Sequence, residues 1–104
     1  MKLFWTETAK QDLQAIRRYI AADNPTAANR WVQRLRERAR SAFHEPFAGR
    51  AVPELLCDDI RELIAGNFRV VHQVLADRLV ILTVYEGHQL FPERKVVLPL
   101  EDNR

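Results

Sequence analysis

The side chains of this sequence best equipped for chemistry gather in its second half. Arg61 and Arg69 fall on what read as adjacent strands, where planar guanidinium groups can hold a phosphate through paired hydrogen bonds. Glu86, His88 and His72 supply an acid and a base, with Tyr85 a weaker alternative. Glu86 and His88 flank Gly87, however, a spacing that does not by itself bring two side chains together. His72 shares a strand face with Phe68, Val70 and Val74, where packing in a core is the favoured role. Arg61 and Arg69 have an equal claim to structural duty, paired with Asp58, Asp59 or Glu62 or covering a sheet edge. Arg50, in an exposed Gly49-Arg50 loop, is better placed to touch something outside the chain.

A second constellation is purely electrostatic. From Arg30 to Arg40 the charged residues are Arg30, Arg34, Arg36, Arg38 and Arg40 against one Glu37. On a helix, Arg30, Arg34 and Arg38 stack at four-residue intervals, with Trp31 beside them. A solvated helix back is the commoner meaning of such a stripe; the sharper one is contact with phosphates or an acidic partner. Net charge is only +2 over 104 residues, so the distribution says more than the total. The single Cys57 forms no internal disulfide, and no Cys/His cluster has zinc spacing, so neither a metal nor a cofactor is expected. The longest largely apolar run, Leu79 to Tyr85, is too short to span a bilayer, and no signal peptide is apparent. A reducing cytoplasm is the expected location.

The elements that must position these groups follow from periodicity. Met1 to Trp5 reads as a short strand. Thr6-Glu7-Thr8 offers N-capping hydroxyls, with Thr8 and Gln11 fitting a capping box. Ala9, Leu13, Ile16 and Ile20 then mark a helix to about Ala22. Asn24 caps a second helix with Pro25 in its first position, and Ala28, Trp31 or Val32, Leu35, Ala39 and Ala42-Phe43 line its apolar face. The Pro and Gly content of Glu45 to Pro53 reads as loop. Strands follow at Ile60 to Ala65, Phe68 to Leu75 and Arg78 to Glu86, joined by turns at Gly66-Asn67 and Ala76-Asp77. The last is the most apolar and so the expected central strand. The expected fold is α+β: a short N-terminal strand, an antiparallel two-helix hairpin, then a three-stranded antiparallel sheet with the helices on one face. Residues 1–92 form one domain. The tail, 93–104, carries Val96, Val97, Leu98 and Leu100, and reads as an extra edge strand in preference to a partner-binding segment.

Several strings occur in the order of a known family. Trp5-Thr6-Glu7-Thr8-Ala9 with Asp12-Leu13, Ile16 and Tyr19-Ile20, then Asp23-Asn24-Pro25 with Ala27-Ala28, resemble the first helix and inter-helix break of the ParE/RelE toxin superfamily, its ParE branch in particular. Gly49-Arg50, Val52-Pro53-Glu54-Leu55, Ile60-Arg61-Glu62-Leu63 and Gly66-Asn67-Phe68-Arg69-Val70 resemble its loop and central strands. Glu86-Gly87 through Leu90-Phe91-Pro92 takes the place of its closing strand motif. The resemblance runs over roughly residues 3 to 92. The family often has Tyr at the positions of Phe68 and His72, and His-Gly with nearby Arg where this chain has Glu86-Gly87-His88-Gln89.

The resemblance implies a toxin of a type II toxin–antitoxin system with a cognate antitoxin as partner, as a homodimer or a toxin–antitoxin hetero-oligomer. ParE-like toxins inhibit DNA gyrase by binding, whereas RelE-like toxins cleave messenger RNA on the ribosome. Cleavage needs a base for the 2′-hydroxyl, a cation for the phosphate and an acid for the leaving oxygen. For that role the nameable groups are Arg61, Arg69, Glu86 and His88. The loop lacks the Lys pair that many RelE-like nucleases carry, Lys occurring only at Lys2, Lys10 and Lys95. Gyrase inhibition is therefore the preferred expectation, a messenger RNA endonuclease the alternative, and a non-toxic binding partner the third. Expected target contacts are Arg50, Arg61, Arg69, His88 and Gln89; expected antitoxin contacts are Arg34, Arg36, Arg38 and Trp31.

Overall fold

A computed structural model describes residues 2–52, 55, 57–89, 91, 92 and 96. Strand β1 (Lys2–Trp5) leads into helix α1 (Glu7–Ala21), which turns back as helix α2 (Pro25–Arg40) and ends in a 3-10 turn, Ser41–Phe43. Strands β2 (Arg50–Ala51), β3 (Ile60–Ala65), β4 (Phe68–Val74) and β5 (Arg78–Glu86) follow among the described residues.

The helix starts are set by side chains that satisfy orphan N–H groups. Thr6, not Thr8, caps α1: its hydroxyl accepts from the Ala9 backbone N–H at 3.0 Å. The same hydroxyl donates to the Leu82 carbonyl at 3.0 Å, so one residue begins the helix and ties it to β5. The expected Thr8–Gln11 box gives way because the helix begins at Glu7, which leaves Thr8 inside its first turn. Asn24 caps α2 as expected, accepting from the Ala27 N–H at 3.0 Å, with Pro25 opening the helix.

The sheet is larger than three strands. Its order is β1-β5-β4-β3-β2, with β1 parallel to β5 and every other pair antiparallel. β1 is thus an edge strand of the sheet itself. β5 is interior as expected, though β4 holds the middle. β2 lies inside the segment read as loop, where Arg50 pairs with Glu62 and Ala51 with Arg61. Gly49 permits this approach: its φ is +84°, and a Cβ there would lie 2.4 Å from the Glu62 carbonyl oxygen.

Both sheet faces are covered. On one, α1 and α2 bury Leu13, Val32 and Leu35 against Leu63, Val70, Leu79 and Ile81. On the other, Val52, Leu55, Phe91 and Val96 close over Ile60, Val71, Leu82 and Tyr85. Val96 is the one described residue of the tail, packed on this second face outside any strand; the remainder of the edge-strand expectation lies outside the described residues. Between β4 and β5 the register shifts after Val71, which pairs with Thr83, while His72 pairs with Ile81. Leu82 is the extra residue of this bulge.

Candidate functional site

Strand alternation sends Ile60 and Glu62 of β3 to the second face, and Leu63 and Ala65 to the helices. Glu62 is therefore a carboxylate in an apolar position, only 2% exposed. An isolated buried carboxylate is costly, so this one needs partners. Oε1 accepts from Arg50 Nε at 2.9 Å, and Arg69 Nε lies 3.9 Å from the same oxygen. Oε2 accepts from the Tyr85 hydroxyl. The Tyr85 ring meets Phe91 edge-on at 5.8 Å, which links the chain beyond β5 to this network. Arg69 also donates to its neighbour's carbonyl at Phe68, 3.2 Å away. Its guanidinium lies over Gly87, where a Cβ would come within 2.6 Å of Arg69 Cζ.

Two of the expected target contacts, Arg50 and Arg69, are thus brought together through Glu62. Arg61 is not with them. The two-residue turn at Gly66-Asn67 sets Arg69 opposite Ile64 and Arg61 opposite His72, so the two arginines do not share one phosphate-holding fork. Arg61 instead donates to the Asp58 carbonyl at 3.0 Å and stacks over Phe47 at 5.6 Å. Glu86 ends β5 half-buried, and His88 and Gln89 follow in an exposed turn closed by a bond from the Gln89 N–H to the Glu86 carbonyl at 3.0 Å. His72 is fully buried. Its Nε2 donates to the Pro46 carbonyl at 2.6 Å, fixing the tautomer, while Nδ1 has no hydrogen-bond partner among the described residues. Burial holds the imidazole pKa below its ordinary 6.5; the Pro46 bond opposes that shift, and the Arg61 charge adds to it.

Arg34 and Arg38, two members of the expected stripe, lie on one side of α2, where both line a cleft with Ile64 and Ala65. Arg34 stacks on Trp31 at 4.7 Å, and Trp31 in turn packs edge-on to Phe68 at 5.3 Å. Arg38 reaches the edge of β3, donating to the Ile64 carbonyl at 2.9 Å. Arg36 points the other way, over Trp5 of β1 at 6.0 Å. Sequence reasoning quoted Asp12 only within the family resemblance and gave it no role of its own. Its carboxylate accepts from the Thr83 hydroxyl at 2.5 Å and the Val84 N–H at 3.0 Å, pinning α1 to β5 just past the bulge. The signal was there: Asp12 interrupts the apolar spacing of Ala9, Leu13 and Ile16.

The family model for the ParE toxin of type II toxin–antitoxin systems matches residues 3–91. The chain belongs to the ParE toxin family. Its members are paired with a cognate antitoxin, and the α+β arrangement described above is that of a ParE/RelE toxin. Toxin RelE2 of Caulobacter vibrioides is 38% identical to this ParE-family chain over 79 residues, 76% of this chain and 85% of that protein. A solved structure described as the chromosomal ParDE TA system from P. aeruginosa matches with a TM-score of 0.68 at 26% identity, covering 83% of this chain and 95% of that one. No helix among the described residues is long and apolar enough to cross a membrane.

Proposed function

We propose that this ParE-family toxin acts by binding, inhibiting DNA gyrase without a reaction of its own, and is neutralised when its antitoxin binds. The observation that carries the reading is how the acid–base groups near the arginines are used. Glu62 and Tyr85 hold each other in a buried network, and His72 is buried against Pro46. What faces outward is a cationic and polar rim: Arg50, with its side chain 63% exposed, Arg69 beside Gly87, and the His88-Gln89 turn. Such a rim suits recognition better than proton transfer. The test is gyrase supercoiling with purified protein beside ribosome-dependent cleavage of messenger RNA. Loss of supercoiling with intact messenger RNA is expected; cleavage with supercoiling untouched defeats the proposal.

Two observations favour a ribonuclease as the second reading. Arg50 and Arg69 share a sheet face, and a relative bears the RelE name. In that case Arg50→Ala and Arg69→Ala abolish cleavage while supercoiling stays normal throughout.

For the antitoxin we propose contact with α2, where Arg34, Arg36 and Arg38 complement an acidic chain. Because Arg36 faces β1 while Arg38 faces β3, that chain would have to lie across the helix to meet all three. Changing the three to Glu is expected to lower affinity by at least about tenfold and to flatten its salt dependence. Unchanged affinity and salt slope assign these arginines to solvent.

A further inference from the structure

Helix α1 has a groove on each side, and the two are opposite in charge. The larger, 680 Å³, lies toward β1 and α2; its apolar floor includes Leu3, Trp5 and Val32, and Lys10, Arg17 and Arg36 outnumber the single Glu7. The smaller, 400 Å³, runs between α1 and the end of the β4–β5 hairpin. Asp12, Ala15, Ile16 and Tyr19 form its helical wall, spaced so that all four lie on one face. Phe68, Glu86 and Gln89 belong to the opposite wall. Its described lining holds two carboxylates and no Lys or Arg, on a chain whose overall charge is positive.

Tyr19 is the second observation. It is 83% exposed, the most exposed large hydrophobic residue among those described, and it stands at the rim of the acidic groove. Exposed aromatic side chains beside an apolar cleft are the usual anchors of protein interfaces, because they carry much contact area at low entropic cost. We infer that this groove docks a basic amphipathic segment of a partner protein, with an apolar side chain between Ile16, Tyr19 and Phe68 and a Lys or Arg against Glu86. Asp12 is spent inside the fold, so the half-buried Glu86, with no Lys or Arg beside it in the described lining, chooses the sign of the partner: an acidic segment there would meet like charge, while a basic one gains complementarity. Helix α1 separates this groove from the cationic one, while Gln89 belongs both to its wall and to the rim proposed for target recognition.

The test uses the full chain, nitrogen-labelled, with two synthetic helical peptides as probes, one built of Leu and Lys and one of Leu and Glu. The Lys peptide is expected to shift the amides of Ala15, Ile16, Tyr19, Glu86 and Gln89, and the Glu peptide, titrated separately, to leave them unmoved. Tyr19→Ser and Glu86→Gln are each expected to weaken the Lys peptide by about tenfold. Tyr19→Ser alters an exposed position, so an unchanged melting temperature serves as its folding control. Lys-peptide shifts that map elsewhere, or an affinity indifferent to both variants, overturn the inference.

Discussion

The two faces of the sheet each bury one carboxylate, and they treat it differently. Asp12, under the helices, is met by the Thr83 hydroxyl and the Val84 N–H, both inside the fold. Glu62, on the second face, is met by the Tyr85 hydroxyl and by two arginines whose side chains reach solvent, Arg50 more than Arg69. A sealed carboxylate can only fasten elements together. One that grips half-exposed cations also aims charge outward, which is what a recognition surface needs.

Substitutions can break this contrast. Asp12→Ala should have the largest effect, about 3 kcal/mol of lost stability in denaturant titration, because it strands a hydroxyl and a backbone N–H in the interior. Glu62→Ala should cost less, about 2 kcal/mol, since the guanidinium of Arg50 can turn to water when its partner goes. If Glu62→Ala proves the more damaging of the two, the second face is as closed as the first.

His72 adds a pH dependence to the helix side. Its pKa in the fold lies below the 6.5 of the unfolded chain. The neutral imidazole therefore contributes fully above 6.5. That contribution shrinks as the pH falls from 6.5 toward the lowered folded value, because the unfolded chain takes up a proton that the folded one refuses. Unfolding midpoints measured across this window should fall with acid, and His72→Gln should level that part of the profile. The smallest effect belongs to Arg50→Lys. It keeps the charge but loses the planar fork, and at an exposed position should change stability by about 0.5 kcal/mol in a thermal melt.

Much of this was legible in the sequence. Asn24-Pro25 announced the inter-helix break, and Gly66-Asn67 and Ala76-Asp77 fixed the hairpins, because local turn chemistry needs no knowledge of the rest of the chain. β2 escaped because two residues between Gly49 and Pro53 carry no periodicity of their own; their strand character comes from β3. The parallel pairing of β1 escaped for a similar reason, its partner lying at the other end of the chain. Arg61 and Arg69 were both named, but their separation depends on the β3–β4 register, which places His72 and Ile64 opposite them. The partners of Glu62 and Asp12 depend on what covers each face, and that is a tertiary fact.

The hydroxyl of Thr6 touches Leu82 across 76 positions of sequence, and β1 hydrogen-bonds to the last strand of the sheet. Loop-closure entropy makes so distant a pairing slow to form, whereas the helical hairpin and the β3–β4–β5 meander need only near neighbours. During synthesis the amino-terminal strand emerges first and is completed last. Until β5 has left the ribosome, the newborn toxin has neither its finished edge nor a fully anchored first helix. Trp5, in the strand that waits, is the natural fluorophore for timing that closure.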